Sequence, residues 1–162
     1  MKILVLADTH VPFTAKDLPK VIYEEADDVD LILHAGDIIE YGVIERLEEF
    51  AEVKAVCGNM DDLASRQALP AKEVVSAGRF KIGLIHGEGA PDKIEDYCLK
   101  AFNKNKVDAI VFGHSHLPVN KFVDGILLFN PGSPTDKVFA PYNSYGILNI
   151  NDKITAEIKR IE

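Results

Sequence analysis

Five short polar clusters along the chain carry the side chains that could do chemistry: Asp8-Thr9-His10, His34-Ala35-Gly36-Asp37, Gly58-Asn59, His86-Gly87 and Gly113-His114-Ser115-His116. The chain has only 5 histidines, and every one lies in these clusters. Imidazole nitrogens, carboxylates and an amide oxygen suit borderline divalent ions such as Mn, Fe, Ni, Co or Zn; with no thiolate motif, structural zinc and iron–sulfur are disfavoured. Asp8, His10, Asp37, Asn59, His86, His114 and His116 are too many donors for one catalytic zinc that must keep a position open. They suit a pair of ions about 3.5–4 Å apart that share a carboxylate. Two divalent ions outweigh the two carboxylates, so a filled site stays net positive and favours an anionic substrate.

Such a set needs a scaffold that gathers distant loops. Each cluster follows an apolar run. Ile3 to Ala7 is apolar without alternation, which predicts a central strand buried on both faces. Leu31–Leu33 and Val53–Cys57 predict two further strands, with helices over Leu18–Ala26 and Val43–Phe50 between them, a β-α-β-α-β order that calls for parallel pairing. Further on, Glu73–Ser76 and Arg79–Ile85 flank Ala77-Gly78 as a hairpin, Asp92–Asn103 reads as a helix and Ala109–Phe112 as a buried strand. Asp124-Gly125 and Asn151-Asp152 mark two more hairpins, Val119–Val123 with Ile126–Phe129 and Tyr145–Ile150 with Ile154–Ile158. This order implies two sheets packed face to face with helices outside. The carboxyl ends of parallel strands converge on one crevice, where separate loops can build one site.

Composition limits the rest. A chain of 162 residues can bury a core as one domain, 1–162, with no repeat or linker to divide it. A net charge of −8 argues against coating nucleic acid or an anionic membrane. The apolar opening run stops at Asp8, short of a signal peptide, and no stretch reaches a membrane span. Cys57 and Cys98 are isolated, as two thiols in a reducing compartment would be, so a cytoplasmic protein is expected.

The succession Asp8-x-His10, Gly36-Asp37, Gly58-Asn59, His86 and Gly113-His114-Ser115-His116 resembles the calcineurin-like metallophosphoesterases. With the short length and Asn130-Pro131-Gly132-Ser133, it resembles their small bacterial and archaeal branch, the YfcE-type phosphodiesterases. The likeness runs from residue 2 to about 150. It implies a four-layer α/β/β/α sandwich with two mixed sheets. It also implies two divalent transition-metal ions, with Mn²⁺ expected first and Ni²⁺, Fe²⁺, Co²⁺ or Zn²⁺ as alternatives. By position it puts Asp8, His10, Asp37 and His116 around one ion and Asp37, Asn59, His86 and His114 around the other. Asp37 is then the bridge, and Asp37, Asn59 and His86 are catalytic as well as ligating.

His34 is no family ligand; it either hydrogen-bonds a ligand loop or simply packs. Of Asp61 and Asp62, one is expected to orient a ligand and the other to cap a helix. Many members of the superfamily carry a histidine after the asparagine, able to protonate the departing oxygen. Here that place holds Met60, so the general acid is unassigned and leaving groups that need little help are favoured. Ser133 could reach the site, and the Phe139-Ala140-Pro141-Tyr142 loop could be a lid or a subunit contact. The basic run Lys100 to Lys106 reads as a solvated helix end. A homodimer or larger homo-oligomer follows only from the branch's habits.

The activity expected is hydrolysis of a small phosphodiester, with a water bridging the ions deprotonated for in-line attack. The competing expectation is a protein-binding scaffold with a vestigial metal site, as in a retromer-subunit relative of the same superfamily.

Overall fold

The computed structural model describes residues 1–162. The run Lys2–Leu6 forms β1, followed by α1 (Lys20–Ala26), β2 (Leu31–His34), α2 (Gly42–Glu48), β3 (Glu52–Ala55) and α3 (Leu63–Ala68). Then come β4 (Lys72–Ala77), β5 (Phe80–Ile85), α4 (Ile94–Ala101), β6 (Ala109–Val111), β7 (Val119–Val123), β8 (Ile126–Asn130), β9 (Ser144–Ile150) and β10 (Ile154–Arg160).

Two mixed five-stranded sheets result, in the orders β10-β9-β1-β2-β3 and β4-β5-β6-β8-β7. Strands β1, β2 and β3 are parallel in one, β5, β6 and β8 parallel in the other. The burial of β1 explains its unbroken apolar sequence. Ile3, Val5 and Ala7 face the core between the sheets, with Ile82, Leu84, Val111 and Phe129 of the second sheet. Leu4 and Leu6 face outward into a layer with Ile22, Ile44 and Leu47 of α1 and α2. On the far side, Ile94 and Cys98 of α4 cover Ile110 and Leu128. The expected α/β sandwich of two facing sheets with helices outside is therefore observed, and no helix is long and apolar enough to cross a membrane.

The C-terminal hairpin does not extend the second sheet. It crosses back, and β9 lies antiparallel to β1 with Leu4 opposite Ile147. Local bounds also differ from expectation. Helix α1 starts after Pro19, whose ring fixes φ at −54° but whose ψ of 140° is extended. The first hairpin turns at Gly78-Arg79 rather than Ala77-Gly78, because Ala77 still pairs with Phe80 and Gly78 takes φ +59°.

Candidate metal centre

All five clusters sit at the carboxyl ends of parallel strands: Asp8 and His10 after β1, Asp37 after β2, Asn59 after β3, His86 after β5, His114 and His116 after β6. Backbone bonds stitch these loops together. The amides of Asp8 and His10 donate to the carbonyls of Gly36 and Asp37, both at 3.0 Å, and Gly113 donates to His86 at 2.9 Å.

The loops are conformationally costly. Asp8, His10, Asp37, His114 and His116 all take left-handed φ, between 44° and 70°. Each such residue costs on the order of 1–3 kcal/mol and persists only where its surroundings over-determine it. Five of the seven candidate donors share this strain. Glycine makes the close approach feasible: a Cβ at Gly58 would overlap the Asp37 carboxylate, and one at Gly113 would meet Asp8 Oδ2 at 2.9 Å.

The seven side chains converge. Asp8 Oδ1 lies 3.9 Å from His10 Nε2, 3.6 Å from His116 Nε2 and 3.9 Å from His86 Nε2. Asp37 Oδ2 lies 3.5 Å from His10 Nε2 and 3.3 Å from His86 Nε2. His114 Nδ1 is 3.0 Å from Asn59 Oδ1 and 3.3 Å from His86 Nε2. Two sets close enough to hold an ion stand out, Asp8 with His10 and His116, and Asp8 with Asp37 and His86. Asp8 is thus as central as Asp37.

Three of the four histidines have their outer nitrogen fixed. His86 Nδ1–H donates to Ala35 O at 2.8 Å, His114 Nε2–H to Gly89 O at 3.1 Å, and His116 Nδ1–H to Asp136 Oδ2 at 2.5 Å. A second hydrogen bond of this kind sets the tautomer and leaves the inner nitrogen free to bind a metal. Asp8 Oδ2 and His10 Nε2 are buried with no hydrogen-bond partner. Neither aspartate pairs with a lysine or arginine. Burial opposes protonation of His86, but the hydrogen bond to Asp37 and the charge of Asp8 outweigh it and push its pKa up to about 9. Burial likewise opposes charge on Asp37, yet His86 and the Met60 amide hold its pKa below the usual range. Two buried carboxylates neutralised only by imidazoles, beside donor atoms with nothing to bind, form a pocket whose chemistry fits divalent cations.

The sequence model of the calcineurin-like phosphoesterase superfamily domain matches residues 1–153. The chain belongs to that superfamily. A probable metallophosphoesterase of Methanocaldococcus jannaschii is 39% identical over 100% of this chain and 82% of its own length. The phosphodiesterase YfcE of Escherichia coli is 30% identical, over 96% of this chain and 90% of its own. The crystal structure of Vps29 from Entamoeba histolytica complexed with zinc superposes with a TM-score of 0.76 at 29% identity, covering 99% of both chains.

In this metallophosphoesterase the residues around the donors divide sharply by task. Asp61 takes the amides of Ile38 and Ile39 on one oxygen (2.6 and 2.7 Å) and Gly58 on the other (2.6 Å), clamping the Asp37 loop to the Asn59 loop. Asp62 caps α3 through the Ser65 amide at 2.7 Å. His34, fully buried, accepts from the Gly36 amide at 3.2 Å, so its Nε2–H donates to Thr9 Oγ1 at 3.0 Å. Of its two alternatives, the brace between ligand loops is the one present. Ser133 does not reach the centre; its hydroxyl donates to Asp8 O at 2.7 Å and supports that loop from behind. Met60 contributes its amide, which donates to Asp37 Oδ1 at 2.7 Å. Asp136, the partner of His116, was not among the expected residues. It lies outside the strand-end clusters, and its only sequence signal is its position shortly after Asn130-Pro131-Gly132-Ser133.

Proposed function

We propose that this metallophosphoesterase hydrolyses a small phosphodiester with two divalent cations, and that residues 1–162 act as one domain. The observation that carries the reading is the buried donor set: seven side chains from five loops, two of whose buried atoms have no partner within the protein. In this reading Asp8, His10 and His116 hold one ion, Asn59, His86 and His114 hold the other, and Asp37 serves both. When bound, such a pair supplies Lewis acidity toward the phosphoryl oxygens and a water acidic enough to act as nucleophile near neutral pH.

The protein's own groups do the positioning. Ala35 O and Asp136 aim the imidazoles of His86 and His116, and Asp61 fixes the distance between the two loops that the cations join. The residue that follows Asn59, Met60, carries a thioether and cannot protonate a leaving oxygen. Diesters with a stable leaving anion are therefore the favoured substrates.

Elemental analysis of the purified protein should give about two transition-metal ions per chain. With Mn²⁺ it should hydrolyse bis-p-nitrophenyl phosphate. Chelator should abolish the activity, and Asp37→Ala should lower kcat at least about a thousandfold, since several kcal/mol of charge stabilisation leave with the ions. Metal-replete protein inert toward every phosphoester would overturn the reading. The likeness to Vps29 shows that a zinc-bound relative with this fold need not carry a phosphoesterase name; metal content and turnover, measured together, separate the enzyme from a scaffold.

A further inference from the structure

Above the donor set the cavity changes character. It encloses about 510 Å³, within the range that holds a ligand of drug size. Its floor is His10, Asp37, His114 and His116, with Asn59 at the lip; its mouth is Phe13, Met60, Pro91, Val138 and Phe139. No lysine or arginine lines it. Phe13, Val138 and Phe139 are 70%, 78% and 73% exposed, an unusual concentration of large apolar side chains at one opening.

This mouth is tied to the floor. Asp136, which fixes His116, also accepts the amides of Val138, Phe139 and Ala140 at 2.8, 3.0 and 2.9 Å. The Phe139 ring stands edge-on to His116 with centroids 6.0 Å apart. Phe13 donates its amide to His10 O at 2.6 Å. Phe13 is thus held by the backbone of a donor residue, and Phe139 by the aspartate that fixes one.

We propose that the mouth binds a flat aromatic ester group of the diester, nucleoside or aryl, between Phe13 and Phe139 while the phosphoryl group rests on the donor floor. The inference rests on the diesterase reading and names its substrate class. A polyphosphate or a nucleic-acid backbone brings further anionic charge and would need cationic side chains along the lining, which has none. A flat ring gains from the aromatic mouth because base–aromatic stacking is largely indifferent to ring identity.

The test holds the leaving group constant. Mn²⁺-loaded protein is assayed with thymidine 5′-p-nitrophenyl phosphate, phenyl p-nitrophenyl phosphate and methyl p-nitrophenyl phosphate. The KM of both aromatic esters should be at least about fivefold below that of the methyl ester, the low end of a single stacking contact. Equal values for thymidine and phenyl identify a plain aryl site; a lower thymidine value identifies a nucleoside site. Phe13→Ser and Phe139→Ser should narrow the gap. Calorimetry on the same protein should show thymidine 5′-monophosphate binding more tightly than methyl phosphate, a readout independent of turnover. Three esters cleaved with KM values within twofold overturn the aromatic mouth and leave the diesterase standing. Failure to cleave any of them removes the diesterase, and the mouth with it unless calorimetry still ranks the two monoesters.

Discussion

The centre has two unlike halves. Asp8 and His10 are buried, and His116 nearly so; on the other side only His86 is buried, while Asn59 is exposed and His114 half-exposed. Beneath the first half lies a polar layer. Ser133 and Thr135 donate to the carbonyls of Asp8 and Thr9, His34 donates to Thr9, and Asp136 fixes His116. In the second half His86 is fixed by Ala35 O, but its two outer members have thinner support. His114 leans on the carbonyl of exposed Gly89, where an added Cβ would meet nothing within 4 Å, and the Asn59 carbonyl is held by the surface guanidinium of Arg66. Candidate donors of similar type thus sit on very different foundations. Rigidity here comes from the groups behind the ligands, and those groups are dense only where the chain is folded into the core.

The comparison predicts unequal losses. His10→Ala should weaken metal retention at least about a hundredfold, because it removes an imidazole from the enclosed half; Asn59→Ala, which removes a neutral amide at the solvent lip, should cost about tenfold. Metal content after gel filtration of each variant measures the difference, and equal retention would erase the distinction between halves. Asp136→Asn tests the foundation itself. The amide keeps the shape but weakens the hold on His116 Nδ1–H, so metal affinity should fall by about tenfold, at the low end for such outer partners. Titration calorimetry with Mn²⁺ reads that directly. An affinity unchanged by Asp136→Asn would mean that His116 needs no orienting partner.

The same contrast explains what could be read from the residues alone. The donor clusters were legible because each follows an apolar run, and a strand buried on both faces announces itself without alternation, as Ile3 to Ala7 does. Their meeting at one end followed from parallel pairing. Helix α3 was less visible, since six residues, with only Ser65 buried, give no periodicity, although the Asp61-Asp62 pair marks a cap ahead of it. Asp136 was invisible for a different reason. Its role comes from a loop that returns from the second sheet to lie behind β1, a tertiary contact that no local pattern encodes. The return of β9 to pair with β1 is the same kind of fact: a hairpin specifies its own register but not which sheet edge it joins.

The remaining expected effect concerns the brace under the buried half and appears only below pH 6.5. Burial, with the nearby charge of His86, lowers the His34 pKa to about 3, against 6.5 for the free side chain. Above pH 6.5 the ring is neutral in both folded and unfolded chains, and its titration contributes no slope to stability. As pH falls below 6.5 the unfolded chain takes up a proton that the native protein refuses. Stability should then drop by up to about 1.4 kcal/mol per pH unit until the native ring protonates near pH 3. His34→Gln keeps a donor for Thr9 but cannot titrate, so its stability should fall less steeply than wild type between pH 6 and pH 4.5. Urea unfolding of both proteins in chelator, at several pH values in that window, isolates this contribution because the other titrating groups are common to the two. A wild-type-minus-variant difference that stays constant across the window would show that His34 is not held neutral. The brace between the Asp8–His10 loop and the Asp37 loop would then be an ion-tolerant contact rather than part of the core.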